Sequence, residues 1–153
     1  MIEVILEDTR WEAVGLEALC DPAERAALAE TGRAPEGFEI ALMGCDDVRI
    51  GTLNADFRGK PAPTNVLSWP ASDSPPMVGA TPEIELGDIA IAYETCAREA
   101  AEKGISVQDH VTHLVIHGIL HLLGYDHMND TEAEEMEALE IKALAKLGID
   151  NPY

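Results

Sequence analysis

Three cysteines, Cys20, Cys45 and Cys96, are too widely spaced and odd in number to staple this 153-residue chain. None stands in a C-x-x-C pair. That excludes a disulfide framework and a cysteine zinc knuckle, and leaves reduced, buried thiols of a cytosolic protein. Basic residues are also scarce, 10 against 29 acidic ones, for a formal net charge of -19. This balance excludes diffuse electrostatic adhesion to nucleic acid or an anionic membrane, though not a locally basic site on an acidic body. Long hydrophobic runs are missing too. The most apolar window, LVIHGILHLLG, is about half a membrane span and contains two histidines. The opening MIEVILEDTRW has no basic n-region, so no signal peptide is expected and the cytoplasm is the expected location. A hydrophobic content of 46% suits one ordinary core, and the length suits a single domain over residues 1–153.

What is present reads as strands first and helices after them. The β-branched IEVILE (2–7) predicts a first strand, FEIALMG (38–44) a second, TNVLSWP (64–70) a third and LGDIAIA (86–92) a fourth. A helical pattern starts at Trp11, and Asp21-Pro22 reads as a fresh start, with Asp21 as N-cap and Gly32 as the stop. DDVRIGTLNADFRG places Ile50, Leu53 and Phe57 on one face of a helix capped by Asp46. PASDSPPMVGATPE (70–83) has the composition of a long loop. Further helices are expected over Tyr93–Lys103, from the cap Ser106 to Gly124, and from Thr131, with Glu134 completing a capping box, to about Leu147. The expected fold class is α+β: a small four-stranded mixed sheet packed with helices, carrying a zincin-like metal-binding helix and turn.

All five histidines fall between positions 110 and 127. HGILHLLGYDH spaces three of them as H-x-x-x-H-x-x-G-x-x-H. His117 and His121 stand one helical turn apart, about 40° off each other, which suits a grip on one ion. Gly124 can end the helix in a left-handed conformation, and the three residues to His127 reach at most ~10 Å, enough to close on the same ion. His113 with His117 is a rival pair. His113 and His121 lie roughly 12 Å apart along the axis, so they cannot share a metal, and the turn to His127 favours the later pair. His110 and His113 are then packed or exposed helix residues. Three imidazoles favour zinc, one per chain, although nickel or copper also fits. With no fourth ligand nearby in sequence, an open, catalytic position is expected. Asp126 either orients a ligand histidine or simply stabilises the turn.

Metzincin-type hydrolases carry glutamate where this chain has Gly118, and glycine cannot take a proton from water. Peptide hydrolysis by that route is disfavoured. The nucleophile must come from water already acidified by the metal, or charge must be stabilised from elsewhere. A helical glycine also costs about 1 kcal/mol against alanine. Either substrate or a neighbouring strand therefore approaches the backbone there, or the glycine serves packing alone.

HGILHLLGYDH, LNADFRGKPAPTNVLSWP and LGDIAIA together resemble the YbeY family, single-strand-specific endoribonucleases that mature ribosomal RNA. The likeness extends through EAEEMEALE to the closing NPY. Gly118 fits the family pattern, and Trp69 stands where phenylalanine is commoner. The resemblance implies that His117, His121 and His127 bind zinc and that Arg58 is the functional basic residue. It also implies a role at the 3′ end of small-subunit ribosomal RNA and in ribosome quality control. A guanidinium suits the charge that gathers on a phosphodiester, and Arg58 and Lys60 are the only basic residues from 50 to 97. Lys60, Thr64, Asn65 and Ser68 are candidate substrate contacts, and Trp69 either stacks a base or lies in the core. Expected partners are single-stranded and ribosomal RNA, the ribosome and its basic proteins, with no membrane. Two rivals stand beside this reading: a non-catalytic ribosome-assembly factor with a structural zinc, to which the acidic charge lends weight, and a metallopeptidase with an unusual base.

Overall fold

The computed structural model describes residues 2–33, 38–71 and 84–153. Its elements run β1 (Ile2–Leu6), α1 (Arg10–Val14), α2 (Leu16–Glu30), β2 (Phe38–Cys45), α3 (Asp47–Arg58), β3 (Val66–Pro70), β4 (Ile84–Ala92), α4 (Tyr93–Lys103), α5 (Val107–Leu122) and α6 (Asp130–Lys146). The strands form one mixed sheet in the order β1-β2-β4-β3. β1 and β4 both run parallel to β2, while β3 is an antiparallel edge. The expected α+β class and the four strands are therefore present. Most of the loop read at 70–83 lies outside the described residues.

Strand alternation divides the apolar residues between the two faces. Phe38, Ile40, Leu42, Leu86, Ile89 and Ile91 join α2, α5 and α6 in the main core. Cys45, Leu67, Ala90 and Ala92 face the other way and meet Ile50 of α3 in a smaller cluster. The histidine-bearing α5 and the arginine-bearing α3 thus pack on opposite faces of the sheet, both beside edge strand β3. Cys20, Cys45 and Cys96 are buried free thiols, as composition suggested. No helix among the described residues is long and apolar enough to cross a membrane.

Two predicted helix starts are corrected. The first break falls at Gly15, which is left-handed at φ 79°, and α2 runs unbroken from Leu16 through Pro22. Pro22 forfeits one backbone bond, a cost of about 3 kcal/mol. The buried stripe Leu16, Cys20, Ala23, Ala27 offsets that cost by packing α2 along α5. Asp21 caps nothing and pairs instead with Arg25, 3.0 Å away. The last helix opens at Asn129, not Thr131. Asn129 Oδ1 accepts from the Glu132 N–H at 2.9 Å, and Glu132 reaches back to accept from Met128 N–H at 3.2 Å. Asparagine is the stronger cap, and the carboxylate at the third helical position binds the residue before the cap in place of the cap's own N–H, a variant of the expected capping box moved two residues upstream.

Candidate metal centre

Ser106 caps α5 by accepting from Asp109 N–H at 3.1 Å, which fixes the start of the helix. At the other end, Leu123 closes the helix, Gly124 adopts φ 99°, and Tyr125 N–H reaches back to Leu120 O at 3.0 Å. The chain reverses and carries His127 back over the last turn. Asp126 secures the reversal by accepting from His127 N–H at 2.8 Å, so the turn-stabilising role is the one seen. Imidazole nitrogens of His117, His121 and His127 all lie within 4.8 Å of one another. His127 is exposed and the other two are partly buried, so the cluster opens to solvent on one side.

His117 Nε2 and His121 Nε2 are 3.0 Å apart. The other nitrogen of His117, Nδ1, stands 3.3 Å from Glu140 Oε1, a carboxylate that is 1% exposed. An ionised carboxylate only accepts, so Nδ1 carries the proton and Nε2 turns a lone pair toward His121. Two ring nitrogens at that distance need a proton or a cation between them. Ligands of a tetrahedral zinc stand about 3.3 Å apart, so this nitrogen-only donor set fits a divalent ion. The His121 imidazole is pushed down to about 4, by burial first and then by the neighbouring His117 and His127, which leaves it unprotonated at neutral pH.

Glu140 is the feature the sequence reading missed. Its Oε1 is 2.6 Å from His113 Nε2 and accepts from Tyr153 Oη at 3.0 Å, besides facing His117. Burial alone would raise this carboxyl. Hydrogen bonds from His113 and His117 more than reverse that and hold it at about 2. A carboxylate behind a ligand imidazole fixes its tautomer and orientation. The available signal was an acidic residue on the buried stripe of α6, in line with Met136, Ala143 and Leu144.

Gly118 faces the sheet. A Cβ there would lie 3.1 Å from Ile89 Cδ1, so a neighbouring strand, not substrate, is what approaches the backbone. His110 is packed, with Nε2 2.8 Å from Glu99 Oε1, and that oxygen also accepts from Asn65 Nδ2 at 3.0 Å. Asn65, His110, His113, His117, Glu99 and Tyr153 help line an open cavity of about 330 Å³ that adjoins the three-histidine cluster. Of the candidate substrate contacts, only Asn65 lines this cavity. Thr64 and Ser68 are half-buried, Ser68 on the α5 side of β3 by alternation with Leu67.

Arg58 and Lys60 are exposed at the far end of α3. Asp46 caps that helix as expected, accepting from Arg49 N–H at 2.7 Å. Gly59 ends it at φ 67°, and Asn54 Nδ2 ties down the following loop by donating to Ala62 O at 2.9 Å. Among the described residues no hydrogen bond or ion pair joins Arg58 to the histidines, whose polar side-chain partners include Glu99, Glu140 and Tyr153. Trp69 is half-buried against Phe57, neither a core residue nor a free one.

The family model of Endoribonuclease YbeY matches residues 7–148. An endoribonuclease YbeY of Dinoroseobacter shibae is 51% identical over 162 residues, covering 99% of this chain and 90% of its own. That of Ruegeria pomeroyi is 53% identical over 165 residues, covering 99% and 97%. The solution structure of TM1509 from Thermotoga maritima covers 97% of this chain and 92% of its own, with a TM-score of 0.61. At 24% identity, that likeness speaks for the fold alone. A model spanning nearly the whole chain, and relatives identical at half of its positions, leave a single assignment: the chain belongs to the YbeY endoribonuclease family.

Proposed function

We propose that this chain is a zinc-dependent, single-strand-specific endoribonuclease that acts in ribosomal RNA maturation, at the 3′ end of the small-subunit RNA, and in ribosome quality control in the cytoplasm. The observation that carries the reading is the convergence of three imidazole nitrogens within 4.8 Å, open on one side and backed by a buried carboxylate. His117, His121 and His127 would hold the ion, one per chain. When bound, zinc supplies Lewis-acid stabilisation of phosphate charge and lowers the pKa of water. The protein's own part is orientation and charge. Glu140 keeps His117 presenting Nε2, and the cavity with Asn65 receives the strand next to the ligands. Arg58 is the proposed catalytic cation, its guanidinium neutralising charge that gathers on the phosphodiester, with Lys60 beside it as a phosphate contact. Thr64 and Ser68 are proposed as further substrate contacts on the β3 edge.

One observation favours an added, non-catalytic role in ribosome assembly. The sheet face left open beside α3 presents Glu3, Glu39 and Glu85, on a chain of net charge -19. Basic ribosomal proteins are the complementary partners. Incubating zinc-loaded protein with single-stranded RNA, duplex RNA and casein separates the readings. Cleavage of single-stranded RNA alone, lost in His121→Ala and in Arg58→Ala, is expected. Intact RNA with retained ribosome binding would leave only the assembly role, and cleaved casein would point to a peptidase.

A further inference from the structure

Phe57 closes the aromatic side of α3, and it is 62% exposed, unusual for so large an apolar ring. Its ring lies 5.2 Å from that of Trp69 with the planes 17° apart, an offset stack. Trp69 packs against the small cluster under α3, so the inner end of this stack is anchored in the protein while Phe57 stands out in solvent. Arg58 and Lys60 follow it in the chain, at the last position of α3 and just past Gly59. Arg10, Arg25, Arg49 and Arg98 each pair with a carboxylate, whereas among the described residues neither Arg58 nor Lys60 makes an ion pair. Unpaired cations next in sequence to an exposed aromatic ring, on so acidic a chain, match one ligand chemistry: a flat base to stack and a phosphate beside it. A duplex hides its base faces, so only an unpaired strand can use such a surface.

We propose that Phe57 and Trp69 form a base-stacking platform for single-stranded RNA, with Lys60 as the neighbouring phosphate contact. Trp69 points to the α3 face of edge strand β3, while Ser68 points to the face of the histidine helix. A strand seated on the platform would pass edge strand β3 on its way to the three-histidine cluster. The inference rests on the RNA-cleaving reading above and adds where the strand is gripped. The plainer role for Phe57 is a cover over the indole, which leucine would serve as well.

The test uses tryptophan fluorescence on the full chain. Trp11 is wholly buried, so Trp69 is the indole that solutes can report on. Titration with a short oligouridylate should quench the emission saturably, and the same length of duplex RNA should not. Phe57→Tyr should keep the tight binding. Phe57→Leu should raise the Kd about tenfold by labelled-RNA anisotropy, with melting and zinc content unchanged. Bound and cleaved RNA without quenching, or a Phe57→Leu variant that binds as wild type, overturns the platform and leaves the nuclease reading standing. Quenching and binding without cleavage supports the platform and rejects the nuclease. Neither binding nor cleavage rejects both.

Discussion

Glu140→Gln removes one negative charge and almost no volume from a site that is 1% exposed. The carboxylate oxygen at stake faces His113 Nε2 at 2.6 Å, Tyr153 Oη at 3.0 Å and His117 Nδ1 at 3.3 Å. Two consequences follow, with separable magnitudes. The displacement of this carboxyl from 4.5 to about 2 corresponds to roughly 3 kcal/mol of stability at neutral pH, lost when the charge is removed. Loss of a carboxylate behind a ligand imidazole lowers metal affinity 10–100-fold, so a weakening of about 30-fold, roughly 2 kcal/mol, is expected. Urea unfolding of metal-free protein reads the first, and chelator competition for zinc reads the second. Unchanged zinc affinity in a folded Glu140→Gln protein would refute the orienting role, however much stability it lost.

His117→Ala, His121→Ala and His127→Ala should each lower zinc well below one per chain by elemental analysis. Equal metal in all three would remove the ligand assignment. Arg58→Ala should keep its melting temperature and zinc yet cleave single-stranded RNA about 100-fold more slowly; loss of fold would make the residue structural. In metal-free protein, the unfolded His121 takes up a proton near pH 6.5 that the folded imidazole refuses until about 4. Stability should therefore fall as pH drops through that window, and fall again from about 4.5 toward 2 as Glu140 protonates. A flat profile between pH 7 and 4 in equilibrium unfolding would contradict this. Gly87→Ala places a Cβ 2.4 Å from Trp69 O at φ 144°, so it should destabilise by at least about 2 kcal/mol, measured by urea denaturation.

The three-histidine cluster was legible because its geometry is local. Helical spacing set His117 and His121 on one face, and Gly124 announced the reversal that returns His127. The strands were legible as short β-branched runs. Glu140 was not, because one carboxylate among many on α6 gains its role only when α6 packs beside α5. The placement of α3 and α5 on opposite faces was equally hidden, since sheet order, not sequence, sets it. Pro22 misled for a related reason: its local cost is outweighed by a buried stripe whose partner lies far along the chain.

The most direct test is an anomalous difference map recorded at the zinc edge from crystals of the zinc-loaded protein. The expected result is a single peak bonded to nitrogens of His117, His121 and His127, with the fourth position taken by a non-protein ligand. A peak elsewhere, or a His127 ring turned away from the other two, would contradict the metal centre and the nuclease built on it.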